Sequence, residues 1–283
     1  MPRLNKVIAL LEQGKVAFCP FADAGSVNEA YWAATSPWDG VIFEMEHSPF
    51  NPSDLRLSLQ FMLNRKQIAS GGGVAPAVVP MVRIPVNGRE RNNFLIKQVL
   101  DIGVYGIIFP MINTVDDAWN ALRSARYIQL KSAQDQEPKG MRGHAPHNAA
   151  RYWGLSGPEY FAKADIWPID PEGEILPILQ CETEESVLNL RAILGAVKKP
   201  GLILISESDL SASLGYGAQP HPEVDAAVQQ AAQICKEFGV PFGSPQVNEA
   251  NIEKRIADGF TFLMPASHDL ATLQRGLKLT GRA

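Results

Sequence analysis

Cysteine is scarce in this chain. Cys19, Cys181 and Cys235 are the three in 283 residues. They form an odd set with no C-x-x-C spacing, which argues against a disulfide framework or a zinc site and fits a reducing compartment. Long apolar runs are missing as well. The N-terminal Val7-Ile8-Ala9-Leu10-Leu11 gives way at once to Glu12-Gln13, too short for a signal peptide or a membrane span. A cytoplasmic location is therefore expected. No basic stripe is present: 26 Lys+Arg and 30 Asp+Glu are dispersed, for a formal net charge of −4, so nucleic acid is not an expected partner. There is no Ser/His/Asp set, Walker motif or G-x-G-x-x-G loop. The nearest glycine run, Gly71-Gly72-Gly73, lacks the following helix signal that a phosphate cradle needs.

What the chain does have is apolar content, 46%, in a regular pattern. Short apolar runs near 15–22, 40–46, 78–84, 106–112, 176–182, 201–207, 239–243 and 260–265 alternate with segments of helical period. That alternation is the pattern of a parallel sheet built from βα units. Val224, Val228, Ala231, Cys235 and Phe238 follow a helical stripe, as do Ala118, Leu122 and Ala125 after a capping-box start at Thr114 with Asp117. Leu270, Leu273 and Leu277 mark a final helix. Eight strands with intervening helices predict one domain over 1–283, an α/β (β/α)8 TIM barrel rather than a doubly wound sheet. Two connections stand out, 69–77 and the longer 132–175, and a connection of the second length is usually functional or interfacial.

Chemistry in such a barrel sits at the carboxyl ends of strands. Glu182 and Asp209 each close an apolar run, and two carboxylates on neighbouring parallel strands can clamp one hard divalent cation while leaving positions for substrate and water. The structural alternative is a pair of helix N-caps or rim salt bridges. Period two puts Glu44 and Glu46 on one side, and Gln180 with Glu182, while Cys181 faces the helices as a packing residue. His47 follows the two glutamates and is a candidate base; a solvent-facing loop histidine is the alternative. Arg83 closes an apolar strand without a helical ion-pair partner, and could anchor a carboxylate or enolate or bridge barrel strands. His144, His147, His221 and His268 read as surface or capping residues.

Taken together these strand ends resemble the HpcH/HpaI aldolase family of class II pyruvate aldolases. The likeness rests on Glu44-x-Glu46-His47-x-Pro49, Val82-Arg83-Ile84-Pro85, Ile96-Lys97-Gln98 through Gly103, Gly106 through Met111, Gly140-Met141-Arg142-Gly143, Gln180-Cys181-Glu182-Thr183 and Ser208-Asp209-Leu210-Ser211, in the family's order. The resemblance implies that Glu182 and Asp209 bind a divalent metal ion (magnesium, manganese or cobalt). It implies that Arg83 touches the keto oxygen of pyruvate and that Gln180 lies beside the metal. His47 would work with an acidic partner, assigned here to Glu44. The backbone N–H groups of Ser208 and Asp209 would hold the pyruvate carboxylate. The implied reaction is reversible cleavage of a 4-hydroxy-2-oxo acid to pyruvate, or a related 2-oxo acid, and an aldehyde. The implied assembly is a homo-hexamer, a trimer of dimers, with the 270–277 helix exchanged between subunits. Family members usually have aspartate where Glu44 stands and Gly-Pro where Ser206-Glu207 stands. Oxaloacetate decarboxylation through the same enolate, and 2-oxo-acid binding without catalysis, are the competing readings.

Overall fold

The computed structural model describes residues 3–132 and 137–283. Its strands are β1 (Ala17–Phe18), β2 (Phe21–Asp23), β3 (Gly40–Glu44), β4 (Val79–Arg83), β5 (Gly106–Phe109), β6 (Leu176–Cys181), β7 (Leu202–Ile205), β8 (Phe242–Val247) and β9 (Phe262–Pro265). All pair in parallel, in the order β1-β9-β8-β7-β6-β5-β4-β3-β2. The sheet begins and ends in one run of chain. β1 pairs with β9 and β2 with β3, with only Cys19 and Pro20 between them. Pro20 has no N–H to give to a ladder, and there the chain changes partner: Cys19 N–H still bonds Leu263, whereas the Pro20 carbonyl accepts from Ile42. The result is a TIM-barrel-like curl of nine labelled strands, the first predicted run having split in two.

The strands form on the predicted apolar runs, except that β8, Phe242–Val247, lies later than the expected 239–243, where Gly239 still caps the preceding helix. β6 is buried at all six positions and β4 at all five, as expected for a parallel sheet covered on both faces. The capping box of Thr114 and Asp117 is present. In the helix Pro222–Phe238 the residues Val224, Val228, Ala231 and Cys235 are buried, while Phe238, at the solvent end, is 39% exposed. The connection at 69–77 is shorter than predicted. Residues 69–71 finish the helix Arg65–Gly71, capped by Gly72 in the left-handed region, a conformation glycine adopts without penalty. The 132–175 connection holds two helices, His147–Trp153 and Gly157–Lys163. Trp153 Nε1 donates to the Gly103 carbonyl at 2.8 Å. Arg142 is buried, bonded to Asp101 at 2.7 Å and to the Tyr160 hydroxyl at 3.1 Å, over the Tyr127 ring. The Gly-Met-Arg-Gly motif thus locks that connection onto the barrel wall.

The final helix, Leu270–Leu279, predicted to be exchanged between subunits, is held here by its own barrel. A Cβ on Gly276 would lie 2.6 Å from the Phe18 ring, so only glycine allows this approach. Beyond it, Arg282 forks onto the buried Asp39 at 2.6 and 2.9 Å, and Lys6 reaches the same carboxylate at 2.8 Å. Arg282→Ala leaves a buried carboxylate with one exposed lysine as its remaining ion-pair partner. The expected loss is about 2–3 kcal/mol of unfolding free energy, measured by urea melts.

Candidate active site

β3 and β4 end side by side, with Glu44 in register opposite Arg83. Arg83 Nε and Nη2 reach Glu44 Oε2 at 2.7 and 2.6 Å, and Nη1 lies 3.1 Å from Glu46 Oε2. The guanidinium also sits 4.5 Å from the centroid of the Phe21 ring, on β2. Its fork is therefore fixed on three sides. The other oxygen of Glu44 accepts the backbone N–H of Glu46 at 2.7 Å and of His47 at 3.0 Å. The turn after β3 is folded around this one carboxylate.

That arrangement corrects the pairing expected for His47. Its Nε2 lies 3.6 Å from Glu46 Oε2, and Glu44 touches only the backbone N–H of His47. Glu44 Oε2 is instead committed to Arg83. The imidazole is 67% exposed and lines the cavity mouth.

Glu182 follows β6 and is buried. Its Oε1 accepts the Met111 N–H at 2.6 Å, and its Oε2 accepts the Gln180 amide. Gln180 and Glu182 share a side, as period two requires, while Cys181 lies 3.2 Å from the Ser186 hydroxyl on the helix Glu184–Ala196. Met111 is held at a φ of +57°, a costly conformation for a non-glycine residue, in the turn that aims its N–H at Glu182. Asp209, in the first turn of the helix Glu207–Ser213, accepts the Ser206 hydroxyl at 2.6 Å. Neither carboxylate is a helix cap: Thr183 caps the helix after β6, and Ser206 holds the cap position of the helix after β7.

The turn in which Ser206-Glu207 stands has its own anchors. Ser206 orients Asp209, and Glu207 pairs with Arg255 on the helix Ile252–Ala257. The Ser208 hydroxyl reaches Gln246 Oε1 at 2.6 Å. The N–H groups of Ser208 and Asp209 precede the helix's first i→i−4 donor, the Leu210 N–H bonded to the Ser206 carbonyl, so the helix itself gives them no partner.

Glu46, His47, Met111, Glu182 and Asp209 line one cavity of about 570 Å³, large enough for a small organic acid. Its acids are crowded. Burial pushes the Glu182 carboxyl up to about 8; the Met111 N–H opposes this, and Asp209 and Glu46 add to it. Glu46 is also raised, first by burial, against the pull of Arg83 and His47. The Gln180 Oε1 beside Glu182 is buried without a hydrogen-bond partner. Hard oxygen donors, an acid reluctant to ionise and an orphaned acceptor are what a divalent cation would relieve, so the residues fit one. Among the described residues no three His, Cys, Asp or Glu side chains converge on a single point as a metal cage would require; the donor set is an open one of two carboxylates.

The other histidines lie outside this cavity. His221 caps the helix Pro222–Phe238, its Nδ1 accepting from Glu223, and His268 faces Glu29 and Trp32. Sequence reasoning missed Met111, whose positive φ has no signature in residue type. It also missed Arg89, which lines the same cavity and is hidden in the alternating charges Arg89-Glu90-Arg91.

Comparison with known proteins places the chain in a family. The family model for HpcH/HpaI aldolase/citrate lyase matches residues 16–270. The chain is 29% identical over 262 residues to a 4-hydroxy-2-oxo-heptane-1,7-dioate aldolase of Escherichia coli, covering 92% of this chain and 87% of that one. It is 29% identical over 231 residues to a 5-keto-4-deoxy-D-glucarate aldolase of Citrobacter koseri, covering 81% and 77%. An HpcH/HpaI aldolase/citrate lyase family protein from Burkholderia cenocepacia J2315 superposes with a TM-score of 0.74 at 25% identity, over 96% and 97% of the two chains. The citrate lyase beta subunit of M. tuberculosis, solved with oxaloacetate and magnesium, shares the fold at a TM-score of 0.55 and 11% identity, over 93% and 96%. The family model covers most of the chain and the curated relatives are aldolases, so the chain belongs to the HpcH/HpaI aldolase/citrate lyase family and is, by that membership, a carbon–carbon lyase.

Proposed function

We propose that this chain is a divalent-metal-dependent class II aldolase. It reversibly cleaves a 4-hydroxy-2-oxo acid to pyruvate, or a related 2-oxo acid, and an aldehyde. The observation that carries the reading is the one cavity lined by Glu46, His47, Glu182 and Asp209, with Arg83 behind it, ion-paired to Glu46. A magnesium, manganese or cobalt ion held by Glu182 and Asp209 would supply a Lewis acid for the oxygens of the 2-oxo acid.

The remaining work falls to the chain's own residues. The N–H groups of Ser208 and Asp209 hold the substrate carboxylate. Arg83 donates its Nε–H to Glu44, and its two terminal nitrogens lie in ion-pair range of Glu44 and Glu46; the N–H groups these nitrogens still carry are offered to the keto oxygen. Because the fork is fixed beforehand, it needs no rearrangement as negative charge grows there. His47 takes the proton from the 4-hydroxyl, directly or through water, and Glu46 favours the imidazolium that forms. The C3–C4 bond then breaks: the aldehyde departs, its electron pair stays as the enolate, and a proton returned at C3 gives the 2-oxo acid.

Incubation of the protein with pyruvate, a divalent metal and a panel of aldehydes, with products identified by mass spectrometry, tests the reading. Metal-dependent adducts support it. Turnover of oxaloacetate with no adduct from any aldehyde would replace it with decarboxylation. Subunit exchange of the final helix and a hexamer belong to the same proposal, and light scattering measures the latter. A narrower test concerns Glu44. Glu44→Asp withdraws the carboxylate by roughly 1 Å from both nitrogens of Arg83, and a shift of that size can cost about 10²-fold. Proton exchange at the pyruvate methyl group, followed by NMR, is expected to slow by about 10- to 10²-fold. Faster exchange would show that Glu44 holds Arg83 back.

A further inference from the structure

Asn113 stands two residues after Met111 in the connection that leaves β5, and, partly buried, it lines the active-site cavity. All but one of its polar groups are tied elsewhere. Its N–H donates to Asp117 at 3.3 Å, and its carbonyl accepts from the Asn189 side chain at 2.9 Å. Its Oδ1 accepts the Thr183 hydroxyl at 2.8 Å. The Nδ2 amino group has no partner among the described residues.

Thr183 settles which way this amide points. The oxygen and nitrogen ends of an amide are told apart by the hydrogen bonds around them. The Thr183 oxygen already accepts the Ser186 N–H at 3.0 Å, as cap of the helix Glu184–Ala196. Its single proton then needs an acceptor, and Asn113 Oδ1 is the one it has among the described residues. Turned the other way, the amide would leave that proton with nothing to receive it. The backbone on either side is equally committed. Asp117, which holds the Asn113 N–H, closes the capping box with Thr114, and Met111 donates its own N–H to Glu182. Nδ2 is therefore a donor fixed in advance, with both its N–H groups left over.

The substrate has one oxygen that still lacks a donor. In the proposed reaction the carboxylate meets the N–H groups of Ser208 and Asp209, and the keto oxygen meets Arg83 and the cation. The oxygen on C4 has His47 to take its proton, but nothing to receive the charge left behind. Much of the wall cannot serve, because Glu46, Glu182, Glu184, Glu185 and Asp209 are acids. A preset N–H is most effective at an oxygen where negative charge develops, and a neutral amide supplies it at any pH.

We propose that Asn113 is a further catalytic residue, which donates a hydrogen bond from Nδ2 to the C4 oxygen of the substrate. In the reverse direction that oxygen is the carbonyl oxygen of the aldehyde, which Asn113 orients and polarises. The proposal rests on the aldolase reading for its chemistry and deepens it by one residue.

Two ligands read the contact without turnover. 2,4-Dioxopentanoate has an oxygen on C4 and cannot break into pyruvate and an aldehyde, whereas 2-oxopentanoate has the same carbons without that oxygen. Calorimetric titration of each into the magnesium-loaded protein gives the ratio of their Kd values. Asn113→Ala should lower the preference for the dioxo acid about fivefold, which is about 1 kcal/mol. Asn113→Asp keeps an oxygen for Thr183 but replaces the donor with an acceptor, and should lower the preference further. Thermal melts check that both variants are folded. In turnover, the ratio of aldol addition to proton exchange at the pyruvate methyl group should fall about tenfold, since exchange involves no C4 oxygen. A purely structural Asn113 would slow both steps alike and leave that ratio unmoved. An unchanged Kd ratio, a parallel fall of addition and exchange, or no binding of either acid overturns the proposal. Failure of the aldolase reading is separate: it shows as no aldehyde adducts from the wild type while the Kd ratio still depends on Asn113.

Discussion

Glu182→Gln and Asp209→Asn should each lower turnover by about 10³-fold while the barrel still folds. A Lewis acid contributes several kcal/mol at the oxygens where charge develops, and about 4 kcal/mol corresponds to about 10³-fold in rate. Both changes keep the side chain's shape and remove its charge. Glu182→Gln can still accept the Met111 N–H, so its local scaffold survives. Wild-type protein dialysed against EDTA should lose activity to a similar degree and recover it on addition of magnesium, manganese or cobalt. Unchanged turnover in excess chelator sinks the metal assignment.

The same substitution has an opposite effect on the metal-free fold, and its sign follows from Glu182 itself. Burial raises this acid to about 8, against about 4.3 in an unfolded chain. Between those values the folded state binds the extra proton, so the metal-free protein loses stability as pH rises from about 4.5 to 8. Glu182→Gln has no such proton to lose. In EDTA its melting temperature should match that of wild type near pH 5 and exceed it near pH 8. A parallel pH trend in both proteins would place the source elsewhere.

The sequence made the strands legible because each is a short apolar run between helices with visible caps, and burial on both faces leaves little choice of register or side. Glu182, Asp209 and Arg83 were legible for a related reason: a charged residue closing such a run has nowhere to go except the barrel mouth. Contacts between strands were harder to read. The family resemblance pairs Glu44 with His47, but Glu44 lies directly across the β3–β4 register from Arg83, and a guanidinium in a half-buried site outcompetes a solvent-facing imidazole. Glu46, one residue from His47, was left to face the ring. The Met111 turn was invisible because its backbone conformation is imposed by what surrounds it, including Gly88, which is 23 residues earlier. The 132–175 connection concealed two short helices because their stability comes from docking, through Trp153 and Arg142, more than from any stripe of their own.

Arg83→Lys keeps a positive charge, yet it should cost about 10²- to 10³-fold in turnover. An ammonium is a point charge on a flexible stem, and it cannot span Glu44 and Glu46 while presenting further donors to a substrate oxygen. Whichever carboxylate the lysine abandons is left half-buried and unpaired. If that is Glu46, already raised by burial, losing the pull of Arg83 raises it further and weakens its support for a charged His47. One substitution would thereby impair both the electrophilic and the basic side of the site. A purely structural Arg83 predicts something else: lower stability with near-normal turnover in the fraction that stays folded. The two are separated by measuring kcat per folded molecule, with the folded fraction taken from the thermal transition. A second comparison uses Arg83→Ala, whose vacated space can admit free guanidinium. If the planar fork acts on the substrate, guanidinium chloride at tens of millimolar should restore part of kcat in Arg83→Ala, and ammonium chloride should restore none. Restoration of the melting temperature alone, with kcat unmoved, would confine Arg83 to holding Glu44 and Glu46 in place.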